Sequence, residues 1–158
     1  MASVRIRNDQ RVDLLRGVSL FSGCSKDELR RVASLTTEHR VKARDVLAER
    51  GEPGLEFFVI VEGTATASRG GVHLATLGPG SFFGELALLD GGERTASVVA
   101  DSDMRVLVLS RKEFQGLHSV APSVAYKMLA EVGRRLRQAD ELLDEAAESQ
   151  TVGVRGAL

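Results

Sequence analysis

Two periodicities divide the chain of 158 residues. Up to about residue 35, apolar positions recur at helical spacing. Val12, Leu14 and Leu15 mark a short helix over 10–17, and Leu29, Val32 and Leu35 mark a second. Ser25-Lys26-Asp27-Glu28 opens that second helix as a capping box, in which the serine and the glutamate satisfy each other's free N–H groups. From about 36 to 110, short β-prone runs alternate with glycine turns. They predict strands at 37–42, 45–49, 56–62, 64–68, 72–77, 94–100 and 104–109. The turns are Gly51-Glu52-Pro53-Gly54, Gly63, Gly70-Gly71 and Gly78-Pro79-Gly80, a spacing that predicts an antiparallel barrel or sandwich. After Ser110 the helical period returns. Ser110-Arg111-Lys112-Glu113 is another capping box, Phe114 and Leu117 follow, and Pro122 sits near the start of a long helix running to about 148. Residues 1–8 read as a frayed start and 149–158 as a loose, flexible tail.

One segment breaks the β rhythm. Gly84-Glu85-Leu86-Ala87-Leu88-Leu89 lacks β-branched residues and favours a single helical turn between strands. The long final helix carries its own pattern. Ala125, Leu129, Val132, Leu136, Ala139, Leu143 and Ala146 follow 4-3-4-3 spacing, the seam of a helix pair. About 28 residues span roughly 40 Å, longer than a small roll covers. That length favours a homodimer seam over packing on the chain's own core alone.

Composition narrows the picture. The length suits one domain with its own core. The formal net charge of −1 gives no global basic field for nucleic acid or an anionic membrane. The lone Cys24 forms no intramolecular disulfide, no apolar leader opens the chain, and no run approaches a membrane span, so a soluble cytoplasmic protein is expected. Metal and catalytic chemistry find little support. His39, His73 and His118 are scattered, no Gly-Lys-Ser/Thr closes a phosphate loop, and Cys24 has no base beside it. No catalytic residue, metal ligand or cofactor is assigned.

The segment from Gly78 to Val98 is where chemistry concentrates. N–H groups at a helix start have no internal partners and carry about half a positive charge. Gly84 and Ala87 leave room for a ligand to approach the backbone. Nine residues after Glu85 comes Arg94, whose planar fork can pair with two phosphate oxygens. Glu85 would repel a bare phosphate. It fits a ligand that also brings a hydroxyl, such as a ribose 2′-OH beside a phosphate.

Phe83-Gly84-Glu85-Leu86-Ala87-Leu88-Leu89 followed by Arg94-Thr95-Ala96-Ser97-Val98 resembles the phosphate-binding cassette of cyclic-nucleotide-binding domains, found in catabolite activators, kinase regulatory subunits and gated channels. Leu20-Phe21-Ser22-Gly23 with Leu29, and Gly51-Glu52-Pro53, resemble the family's opening and early turn. The resemblance implies a mainly β fold with flanking helices: an eight-stranded jelly-roll β-roll, N-terminal helices and a long C-terminal helix. As one domain over 1–158, it places a helical segment at 1–35, the roll at 36–110 with the cassette at 83–97, C-terminal helices at 111–148 and the tail beyond. By resemblance, backbone N–H groups near Glu85, Leu86 and Ala87 bind the cyclic phosphate, Arg94 pairs with it, and Glu85 accepts the 2′-OH. Thr95 and Ala96 line the phosphate and base side, Leu74 and Leu77 pack on the purine, and Arg135 falls where some channels carry a base-capping arginine. Ala139 and Asp140 stand where the catabolite activator places hydroxyl residues for adenine. Thr95 resembles a guanine-contacting threonine but also occurs in cAMP-responsive channels, and the balance leans to cAMP over cGMP. The expected role is a regulatory sensor acting through a downstream protein. The alternatives are the sensor half of a transcription regulator without its DNA-binding domain, or a ligand-free dimerisation module.

Overall fold

A computed structural model of the chain describes the backbone of residues 2–4 and 7–157 and the side chains of 7–85 and 87–150. The N-terminal helices form where the apolar spacing places them. α1 spans Asn8–Arg16 and α2 spans Lys26–Leu35, joined through a 3-10 turn at Ser19–Phe21. The capping box of α2 closes as read: Glu28 N–H donates to Ser25 Oγ at 3.2 Å, and Ser25 N–H donates to Glu28 Oε1 at 3.1 Å.

Nine strands are formed among the described residues: β1 Ala2–Val4, β2 Thr37–Val41, β3 Val46–Ala48, β4 Glu56–Glu62, β5 Ala65–Arg69, β6 Val72–Leu77, β7 Phe82–Phe83, β8 Ser97–Ala100 and β9 Met104–Ser110. They build two antiparallel sheets, ordered β1-β2-β9-β4-β7 and β3-β8-β5-β6. A short helix, α3, spans Glu85–Asp90; α4 (Arg111–Val120) and α5 (Pro122–Ala157) follow the roll. The architecture is therefore the mainly β roll with flanking helices and a long C-terminal helix.

The sheets enclose one apolar interior and present a second outside. Val41, Phe58, Ile60, Val106 and Val108 of the first sheet pack inward with Ala48, Ala65, Val98 and Ala100 of the second. The alternate residues Phe57, Val59, Leu107 and Leu109 point the other way and are equally buried. On that outer side Phe57 lies 5.1 Å, centroid to centroid, from Phe114 of α4. β4 is thus covered on both faces, which is why its sequence is a continuous apolar run rather than an alternation.

Four expectations are corrected. The predicted frayed start contains β1, whose backbone pairs with β2 from Ala2↔Arg40 to Val4↔Glu38. The predicted loose tail is instead a continuation of α5 to Ala157. The strand expected from 94 begins at Ser97, because the Arg94 backbone exchanges its hydrogen bonds with Gly51 and Glu52 of a turn rather than with a neighbouring strand. The seven strands read from the spacing, against the eight that the resemblance implies, are nine among those described, since β1 and the two-residue β7 were not foreseen.

The chain divides into two compact units, 1–124 and 125–158. The second is the greater part of α5, on which Leu129, Leu136 and Leu143 are exposed. No helix of the described residues is long and apolar enough to cross a membrane.

Candidate functional site

The approach to α3 is fixed by β4. Ile60 N–H donates to the Ser81 carbonyl at 2.9 Å, and Gly80 N–H donates to the Ile60 carbonyl at 2.8 Å. β7 then pairs with β4 through Phe58↔Phe83 and Val59↔Phe82. Phe83 stacks on Phe58 with centroids 4.7 Å apart, while Phe82 tilts against Phe57 at 5.7 Å. The chain must turn into α3 immediately afterwards, and Gly84 does so with φ 97°. A Cβ there would stand 2.7 Å from the Glu56 carbonyl oxygen and 2.5 Å from Arg94 Nη1. Both the dihedral and the space demand glycine. Having no side chain, Gly84 puts no cap on the first N–H groups of α3.

Arg94 arrives at the same place from the other side. The Gly51–Gly54 turn holds its backbone: Gly51 N–H donates to the Arg94 carbonyl at 3.0 Å, and Arg94 N–H donates to the Glu52 carbonyl at 2.8 Å. A bridge between Pro53 and Glu93 completes the clamp. The side chain then runs inward. Nη2 donates to the Glu56 carbonyl at 2.7 Å, Nη1 to the Gly84 carbonyl at 3.4 Å, and the guanidinium carbon lies 5.8 Å from the Phe58 ring centroid. Burial pushes its pKa below the ordinary arginine value, and the carboxylates of Glu56 and then Glu85 pull it back up. Arg94 and Glu85 are both buried, at 8% and 3% exposure. The carbonyl partners are neutral acceptors, so they orient the guanidinium without cancelling its charge.

Gly84, Glu85, Ala87 and Arg94 are therefore brought together. Leu86 lies within α3, with its side chain outside the described residues. Phe83 is buried against Phe58 and forms the floor under the glycine. Thr95 is exposed and Ala96 half-buried, one and two residues beyond Arg94. Leu77 is half-buried against the interior of the roll. Leu74 is 47% exposed and is the unpaired extra residue of β6, because Ala67 pairs with Ala75 while Ser68 pairs with His73. Arg135 lies on α5 in the second unit, where Nε reaches Glu131 Oε1 at 3.5 Å.

Sequence reasoning missed three members of this site. Gly54 admits the cassette: a Cβ there would fall 2.2 Å from the Ala87 Cβ and 3.4 Å from Arg94 Nε. Glu56 contributes its carbonyl, and Phe58 lies beneath Arg94. Only Gly54 left a trace in the sequence, as the last member of a glycine-rich turn.

A small helix with an uncapped N-terminus, a buried guanidinium and a buried carboxylate thus lie together on a β-roll. The chain belongs to the cyclic nucleotide-binding domain family, whose profile matches residues 38–119. The cyclic AMP receptor protein of Thermus thermophilus is 36% identical over 135 residues, covering 82% of this chain and 62% of that protein. The chain thus spans somewhat under two thirds of that relative. Among solved structures, the one described as "Sp-2Cl-cAMPS bound to PKAR CBD2" aligns with TM-score 0.72 and 26% identity, covering 84% of this chain and 91% of that one. The N-terminal domain of a transcriptional regulator from Streptomyces coelicolor A3(2) aligns with TM-score 0.64 and 31% identity, covering 82% and 96%.

Proposed function

We propose that this cyclic nucleotide-binding regulatory domain takes cAMP in preference to cGMP. The observation that carries the reading is the convergence of the uncapped start of α3 with the buried Arg94 guanidinium, held by neutral carbonyls at 2.7 and 3.4 Å. A cyclic phosphate monoanion satisfies both groups at once. Glu85 accepts the ribose 2′-OH, and the N–H groups of Glu85, Leu86 and Ala87 take the phosphate oxygens. Leu74, Leu77, Thr95 and Ala96 border the base. Glu85 is engaged in binding, which leaves the cassette no acid–base pair, so the role is sensing and not catalysis.

In this reading the ligand orders the cassette, α3 shifts, and the C-terminal helices move in response. The ligand drives the change only by binding one arrangement more tightly. The exposed Leu129, Leu136 and Leu143 of α5 supply a seam for a second copy of the chain. The setting is cytoplasmic. Titration with cAMP and cGMP, read as thermal stability, tests the proposal. A ligand at 100 times its Kd adds about 2.7 kcal/mol, and cAMP is expected to reach this at the lower concentration. No stabilisation by either nucleotide would leave a ligand-free dimerisation module.

A second reading has specific support. The likeness to an N-terminal domain of a transcriptional regulator, and the 62% share of the Thermus receptor, fit the sensor half of a transcription regulator. Its downstream partner is then a DNA-binding domain.

A further inference from the structure

The segment between Gly91, which ends α3, and Ser97, which begins β8, carries Arg94 and Thr95 outside any regular element. Its two ends are tied by familiar means. Arg94 exchanges backbone hydrogen bonds with Gly51 and Glu52, and Ser97 Oγ accepts from Arg50 N–H at 3.0 Å. The middle is held differently. Arg69, the last residue of β5, donates Nε–H to the Thr95 carbonyl at 2.8 Å. Arg69 is paired with Val72 at the mouth of the tight Gly70-Gly71 hairpin, so its backbone is fixed where the side chain departs. Among the described residues no carboxylate pairs with its guanidinium, and the Thr95 carbonyl is where it makes its hydrogen bond.

We infer that Arg69 is a positioning residue for the site: its guanidinium clamps the Thr95 carbonyl, fixing the arm so that Arg94 projects toward the start of α3 at a set angle. The inference deepens the cyclic-nucleotide reading and rests on it for its effect on affinity. The chemistry suits the task. A charged N–H bonded to a carbonyl is stronger than a neutral pair, and this one ties the β5–β6 hairpin to the residue next to the phosphate-binding arginine. An arm free to swing presents Arg94 in many directions, and the ligand must then order it at the expense of affinity.

The test uses the full chain as wild type, Arg69→Leu and Arg69→Lys. Calorimetry with cAMP is expected to show Arg69→Leu weaker by roughly 3–10-fold, the range of one ordinary hydrogen bond, as suits a bond at the exposed surface. Arg69→Lys recovers part of the loss, since an ammonium still reaches a carbonyl. Hydrogen exchange of the ligand-free protein provides a readout independent of any nucleotide. Exchange across residues 94–97 is expected to accelerate in Arg69→Leu while β4 and β9 stay protected. Unchanged exchange in that arm overturns the clamp, and so does acceleration spread evenly through the sheets with no rescue by lysine. A wild-type chain that binds neither cAMP nor cGMP defeats the proposed function, and the ligand-free exchange still decides the clamp.

Discussion

Helices α2 and α4 begin in one way and α3 begins in another. Ser25 with Glu28, and Ser110 with Glu113, each form a reciprocal box in which a serine hydroxyl and a glutamate carboxylate take up free N–H groups. α3 is entered through Gly84, which has no side chain to offer. The two capped helices are complete in themselves and serve the packing of the outer layer. The uncapped one starts beside a buried guanidinium, whose Nη1 donates to the Gly84 carbonyl, and in the proposed function a ligand completes it. In the proposed function, that difference at the N-terminus sets the binding helix α3 apart from α2 and α4.

The sharpest break of this comparison removes the cation facing the uncapped helix. Arg94→Ala is expected to weaken cAMP binding by roughly 3 kcal/mol or more, because an anion then sits unpaired beside Glu85. Calorimetry reads it directly, and an unchanged affinity would defeat the assignment of Arg94. Next comes an attempt to make α3 resemble its neighbours. Gly84→Ser supplies the residue type that caps α2 and α4, yet its Cβ meets the Glu56 carbonyl oxygen at 2.7 Å and adopts a positive φ. The variant is expected to lose about 1–3 kcal/mol of folding stability, together with ligand binding, in urea unfolding and calorimetry. Conversely, Ser110→Ala is expected to cost about 1 kcal/mol of stability and to leave the affinity for cAMP unchanged.

The smallest effect is a dependence on pH. Neither capping box contains a histidine, whereas His39 lies within electrostatic reach of Glu56, whose carbonyl holds Arg94. Burial lowers the His39 pKa below 6.5, against an opposing pull from Glu56, and its Nδ1 is buried without a hydrogen-bond partner. Above pH 6.5 the ring is neutral in both folded and unfolded chains and costs nothing. As pH falls through 6.5 the unfolded chain takes up the proton first, so stability declines until the lowered folded value is reached. Urea midpoints compared across that window for wild type and His39→Gln should diverge, the variant losing less.

Much of this was legible in the residues themselves. Both capping boxes are side-chain signals and could be read directly, and so could α3, because Glu85 to Leu89 contains no β-branched residue amid β-prone runs. Glu85 stood out as a charge inside apolar sequence, and Arg94 as a cation nine residues further on. What escaped detection depends on the backbone or on tertiary approach. The Glu56 carbonyl that orients Arg94 would be present whatever residue stood at 56. The need for glycine at 54 arises from Ala87, thirty-odd positions away. β7 is two residues long and exists only because β4 offers its edge. β1 likewise takes its conformation from pairing with β2, and its polar surroundings gave no hint of a partner.

Consecutive aromatics Phe82 and Phe83 divide their rings between the two apolar compartments, one against Phe57 outside the roll and one against Phe58 within it. The entry to the cassette is consequently pinned like an axle through a wall. It cannot slide along β4 without exchanging the two rings.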